Sequence, residues 1–192
     1  MPNRSFSRAM ALLPTLLLVG AAGFLVGCAT GRPSGNRAVP EPVKPVDLDR
    51  YAGKWYEMAR YDAAFEQGCE AATAEYALRP DGLIGVTNAC RDGSVDGPPR
   101  SVTGRARIVP GSGNAKLKVS FFGPFFVGNY WVMDHADDYS WTIVGEPTGK
   151  YLWILTREAT PDQATRDALV GRAGELGYDT AMLRYTRQPP AP

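Results

Sequence analysis

From Gly53 onward the chain alternates apolar and polar positions in short runs, each closed by a turn signal. Over residues 101–109, Val102, Gly104, Ala106 and Ile108 alternate with Ser101, Thr103, Arg105 and Arg107. In the next run Leu117, Val119 and Phe121 alternate with Lys116, Lys118 and Ser120. A period of two marks a strand with one dry face and one wet face. The same reading starts a first strand at Gly53-Lys54-Trp55-Tyr56-Glu57 and places others over residues 71–79, 83–90, 126–134, 139–145 and 151–157. Arg79-Pro80-Asp81-Gly82, residues 110–114, Asp137-Asp138 and Glu146-Pro147-Thr148-Gly149 supply the turns between them. Eight strands with short connections and no βαβ crossover predict an all-β fold. It is an eight-stranded antiparallel up-and-down barrel, with room inside for one small ligand.

The period then changes. Leu169, Ala173 and Leu176 fall at helical spacing, Thr160-Pro161-Asp162-Gln163 reads as a capping box with Thr160 as the cap, and Gly177 is the expected stop. One C-terminal α-helix packed outside the barrel follows, then a last strand over residues 179–186. The end, residues 188–192, reads as a frayed tail. Asp47 is placed to cap a short turn, Leu48 to Tyr51, just before the first strand.

The N-terminus has a different character. Arg4 and Arg8 precede a run from Ala9 to Gly27 that is apolar or small except at Thr15, and Leu25-Val26-Gly27-Cys28 matches a bacterial lipobox. Residues 1–27 therefore read as a lipoprotein signal peptide. Cys28 reads as the lipidation site, its thiol carrying diacylglycerol and palmitate-type chains that anchor the protein. Ala29, in place of an aspartate, directs the expectation to the outer membrane, at its periplasmic face. Residues 28–46, rich in proline and glycine, read as a tether, and residues 47–187 as the folded domain.

The full chain has 21 basic and 20 acidic residues, a balance that argues against a nucleic-acid partner held by counterion release. Removing Cys28 from the three cysteines leaves Cys69 and Cys90, an even pair in an oxidising compartment, so a disulfide is expected. If residues 79 and 82 close their turn, Cys69 faces residue 92 and Cys90 lies diagonally across. Diagonal neighbours are about 7 Å apart, so a bulge or a loose strand start must bring the two cysteines together.

Gly53-Lys54-Trp55 resembles the Gly-x-Trp motif that opens the lipocalins. Residues 117–125 and Tyr151-Leu152-Trp153-Ile154-Leu155-Thr156-Arg157 resemble the middle and end blocks of the bacterial outer-membrane lipoprotein lipocalins, relatives of apolipoprotein D. The resemblance implies that Gly53, Trp55 and Arg157 build the closed floor of the barrel, with the guanidinium over the indole. It also implies a ligand site along the later strands. Alternation and resemblance together nominate Phe126, Trp153, Tyr130, Phe121, Val119 and Leu155 as its lining. Glu57 shares the Trp55 face and needs a partner if buried. His135 reads as a residue of a solvated turn, without the neighbours a metal site requires.

The expected function is binding, transport or storage of a hydrophobic ligand such as a fatty acid or lysophospholipid, with no metal, no cofactor and no catalytic residue. The membrane is the second partner, and a homodimer is compatible with the chain. The competing readings are an envelope lipoprotein whose barrel is filled by its own side chains and, more remotely, a lipocalin-type isomerase. No paired nucleophile and base supports the latter.

Overall fold

The computed structural model describes residues 34–190. The expected signal peptide, Cys28, the first part of the tether and the last two residues lie outside them. The eight expected strands are present: β1 (Gly53–Tyr61), β2 (Cys69–Leu78), β3 (Ile84–Asp92), β4 (Pro99–Ile108), β5 (Lys116–Ser120), β6 (Gly128–His135), β7 (Trp141–Gly145) and β8 (Leu152–Thr156). Each pairs with its neighbour in sequence, and β1 pairs with both β2 and β8, which closes the barrel. A short ninth strand, β9 (Leu183–Tyr185), pairs with the upper half of β1. β2 pairs only with the lower half of β1, so β9 occupies the seam where the two strands part.

Alternation sorts the apolar side chains into two cores. Inside the barrel lie Trp55, Tyr76, Val86, Ala106, Leu117, Val132 and Leu155. Outside, Met58, Ala59, Tyr61, Ile143 and Ile154 pack against Leu169 and Ala173 of the helix. The short helix α1 (Leu48–Tyr51) is capped by Asp47, whose side chain accepts from the Asp49 and Arg50 amides. The long helix α2 (Gln163–Glu175) is capped by Asp162 rather than Thr160, because the Asp162 carboxylate accepts the Thr165 N–H. Gly177 ends it at φ 89°, as expected of a left-handed stop.

The β2–β3 hairpin has one more loop residue than expected. Arg79 pairs with Leu83 around Pro80, Asp81 and Gly82, and Gly82 adopts φ 78°. That shifts the register by one from Leu78↔Ile84 to Thr73↔Ala89. A bulge between Glu70 and Thr73 shifts it back, so that Cys69 faces Asp92. Ala71, in the bulge, takes φ 50° and donates its N–H to the Arg187 carbonyl. The bulge brings Cys69 and Cys90 to a Cα separation of 5.4 Å, and they form the disulfide.

Two stretches expected to stand free are bonded to the barrel within the described residues. Asn36 is buried, donates to the Leu176 carbonyl and accepts from the Ala38 N–H, while Gly35 and Asn36 both donate to the Gly149 carbonyl. At the other end the Gln188 side chain donates to the carbonyls of Glu57 and Ala72. The Gln188 side chain captures backbone carbonyls that the parting of β1 and β2 leaves open, and the Asn36 side chain captures one at the C-terminal end of α2.

Candidate functional site

A cavity of about 790 Å³ fills the upper barrel. Val86, Ala106, Leu117, Val119 and Leu155 give it apolar walls, and the chain connections at residues 62–68, 93–98, 121–127 and 146–151 surround its mouth. The opposite end is shut. The Trp55 indole is wholly buried, and the Arg157 guanidinium lies 3.7 Å from its ring centroid. Trp55 Nε1–H donates to the Tyr51 carbonyl. Arg157 also donates to the carbonyls of Arg50, Tyr51, Ala52 and Lys54. Four carbonyls around α1 are thereby tied to one cation, and neither Arg157 nor Trp55 borders the cavity. Gly53 enters this corner at φ 91°, a conformation that favours glycine, with its α-carbon facing Arg157.

Above the floor stands a chain of phenols. Tyr76 donates to the Tyr130 hydroxyl at 2.8 Å, and Tyr51 and Tyr130 share a bond at 2.7 Å. Burial pushes Tyr51 up to about 12 and raises Tyr76 and Tyr130 well above the ordinary phenol range, so all three are neutral donors and acceptors.

Five of the six nominated lining residues border the cavity: Trp153, Tyr130, Phe121, Val119 and Leu155. Phe126 does not. β6 begins at Gly128, two residues later than expected, and the Phe126 ring lies beneath the Arg105 and Arg107 guanidinium groups on the wet face of β4. The corner after β5 breaks the alternation that would have turned it inward. His135 also departs from expectation. It ends β6, is buried, stacks on Tyr139 at 4.4 Å, and bonds through its ring nitrogens to the carbonyls of Ala136 and Pro45. The segment before α1 crosses this end of the barrel and covers the turn.

Glu57 finds a partner on its own strand. A bulge between Glu57 and Ala59 sends Met58 and Ala59 outward together and returns Arg60 to the side of Glu57. Arg60 is fully buried. It pairs with the Glu57 carboxylate and donates to Thr186 Oγ1 and to the carbonyls of Glu66 and Cys69. Next to it Glu70 accepts from Arg184 and from the Arg187 amide, which locks β9 into the seam.

The cavity mouth holds a carboxylate that the sequence did not single out. Glu66 follows β1 on a 3-10 turn, borders the cavity, and accepts from the Trp153 indole N–H at 3.0 Å. Arg60 Nε lies 3.7 Å away. Burial, and then the nearby Glu57 charge, push Glu66 up to about 7, against the bonds from Trp153 and the attraction of Arg60. Trp153 stacks on Tyr151, which in turn meets Phe65.

The family model for the lipocalin-like domain matches residues 46–188. The chain belongs to the lipocalin family. Among its relatives, this lipocalin is 42% identical over 170 residues to the outer membrane lipoprotein Blc of Vibrio cholerae, covering 86% of the chain and 97% of that protein. It is 36% identical over 184 residues to the outer membrane lipoprotein Blc of Escherichia coli, covering 94% and 99%. Apolipoprotein D of Macaca fascicularis is 30% identical, with 92% of the chain and 96% of that protein covered. Among solved structures, insecticyanin from the tobacco hornworm superposes with a TM-score of 0.64 at 22% identity, covering 82% of this lipocalin and 88% of that chain. That likeness is one of fold.

Proposed function

We propose that this lipocalin binds and carries an acyl-chain lipid, such as a fatty acid or a lysophospholipid, while anchored to the outer membrane through a lipid on Cys28. The observation that carries the reading is the apolar cavity of about 790 Å³, open at one end and sealed at the other by Trp55 and Arg157. Its volume falls within the roughly 300–1,000 Å³ typical of sites that bury a small molecule. Each methylene moved from water into such a wall contributes about 0.8 kcal/mol, so a long chain gains affinity steadily with length. A barrel filled by its own side chains would leave no such space.

The lipobox at Leu25-Val26-Gly27-Cys28 and the names of the bacterial relatives support the anchor, with residues 1–27 removed and the periplasmic face as the site of action. Tethering holds the mouth near a source of lipid and raises its effective concentration. Binding is tested by titrating the protein with a long-chain monoacyl lipid while following tryptophan fluorescence and native mass. Trp153 borders the cavity, so saturable quenching at one lipid per chain is expected. Trp153→Ala should abolish the quenching and weaken binding about tenfold, whereas Phe126→Ala should leave affinity unchanged. Absence of any saturable complex refutes the reading.

A further inference from the structure

Phe122, Phe125 and Val127 are 84%, 72% and 80% exposed, and all three stand on the connection between β5 and β6. That connection is fastened to the barrel. The Ser120 hydroxyl and the Arg105 guanidinium both donate to the Gly123 carbonyl, so the backbone is held with the three side chains in solvent. Phe122 and Val127 also border the cavity, as does the exposed Phe65 on the connection after β1. Apolar surface thus continues from the cavity wall over the rim to the outside of the molecule. A contiguous exposed apolar surface of this kind marks a place of contact.

The N-terminal segment joins the barrel at this same end. Ser34 Oγ donates to the Thr148 carbonyl, and the Gly35 and Asn36 amides donate to the Gly149 carbonyl, both on the β7–β8 connection beside the mouth. A side chain at Gly149 would collide with the Asn36 carbonyl, so the seat needs this glycine. From there the chain runs along the barrel to the floor, where Pro45 meets His135 and Asp47 meets Tyr139. Six residue steps separate Ser34 from Cys28, which at about 3.5 Å per step is at most about 21 Å of chain. The barrel is taller than that reach. The ten residues of β4, at about 3.3 Å each and tilted by about 40°, rise about 25 Å along the axis. A lipid on Cys28 therefore holds the mouth, not the floor, close to its membrane.

We propose that the β5–β6 connection, through Phe122, Phe125 and Val127, is a docking surface that seats the mouth of the barrel on the phospholipid membrane to which Cys28 is tethered. The inference rests on the lipid anchor of the proposed function and adds the orientation of the barrel and the side chains that touch the bilayer. The three apolar side chains enter the boundary between head groups and acyl chains, where apolar groups on a surface-bound protein sit about 5–10 Å deep. Arg105 and Arg107 lie behind them over the Phe126 ring and have no acidic partner among the described residues. They stand where lipid phosphates would meet them. The connection itself carries no acid, and the acids Asp62, Glu66 and Asp96 lie on the connections after β1 and β3. A lipid leaving the bilayer at this rim reaches the cavity over Phe122 and Val127 without crossing water.

The test uses the lipid-anchored protein in vesicles of phosphatidylethanolamine and phosphatidylglycerol. Phe125→Cys offers a single free thiol, because Cys69 and Cys90 are bonded and Cys28 carries the anchor. It is labelled with a nitrobenzoxadiazole dye and quenched by phospholipids spin-labelled in the acyl chain. Pro110→Cys, in the exposed turn at the closed end, carries the same dye as the reference. The dye at 125 is expected to be quenched at least about threefold more strongly than the dye at 110. Adding Phe122→Asp to Phe125→Cys should cut that quenching by about half or more, which a tether acting alone would not do. Equal quenching at the two positions, or quenching at 125 that survives Phe122→Asp, overturns the docking surface while the anchor stands. A dye at 125 that escapes the lipid quencher, with the free thiol cross-linking into dimers, gives the face to a second copy and also overturns it. A protein that does not associate with the vesicles at all overturns both the anchor and the docking surface.

Discussion

Arg157→Ala separates the floor of the cup from its wall. The guanidinium covers Trp55 at 3.7 Å and donates to four carbonyls. Those of Arg50 and Lys54 lie near solvent and rehydrate when the side chain is removed. Those of Tyr51 and Ala52 are partly buried, and Tyr51 keeps the Trp55 indole as a donor. Counting about 1 kcal/mol for Tyr51, about 1.5 for Ala52 and about 1 for the lost cation–aromatic contact gives a destabilisation of about 3.5 kcal/mol. With a urea dependence of about 2 kcal/mol per molar, the unfolding midpoint should fall by about 1.7 M. Arg157→Lys should recover less than half of that, because an ammonium cannot reproduce the fork that reaches several carbonyls at once. The assay is urea unfolding followed by far-UV circular dichroism, with lipid affinity measured separately without denaturant. Arg157 does not border the cavity, so affinity per folded molecule should stay within about twofold. A midpoint shift under about 0.5 M, or a folded variant that has lost its affinity, refutes the assignment of Arg157 to the floor.

Two further outcomes follow from geometry already described. Replacing Cys69 and Cys90 by serine opens a loop with a sequence separation of 21, and loop entropy predicts a loss of about 3 kcal/mol, read as a lower thermal midpoint that added reductant does not lower further. The Glu66 carboxyl is raised from 4.5 to about 7, so the folded state holds its proton more tightly than the unfolded chain does. Its contribution to stability is fully present below the unfolded value and is lost as pH rises through about 7. Glu66→Gln should flatten that part of the stability profile, and an unchanged slope between these values contradicts the burial of Glu66.

The strands were legible because alternation is a local signal, and Leu117, Val119 and Leu155 face inward as their period requires. What escaped was set by departures from that period. The pairing of Glu57 with Arg60 depends on the bulge beside Ala59, since strict alternation places them on opposite faces. The consecutive apolar residues Met58 and Ala59 were the available sign of it. The need for a bulge near Cys69 could be argued from distance, but its position at Ala71 depends on the three-residue turn at Gly82 and on the Arg187 carbonyl, far along the chain. Phe126 belonged to a strand pattern that began too early. His135 had a polar sequence neighbourhood, yet Tyr139 stacks on its ring and Pro45, from before α1, bonds it from across the barrel end. Glu66 carried no local signal at all. Its role depends on Trp153, 87 residues away.

The seam strand has a consequence for the order of assembly. Tyr56 pairs with Thr156, and Ala59 pairs with Tyr185, so the opening strand finds two of its partners only near the end of the chain. A chain emerging from its N-terminus would hold β1 with one lip bare until Thr156 arrives and the other gaping until Arg187 does. Closure is thus a late and non-local event, slow by nature and exposed to edge-to-edge association while it waits. A stop codon a few residues early, removing Thr186, Arg187 and Gln188, would spare every barrel strand and still leave a slot in the vessel's side.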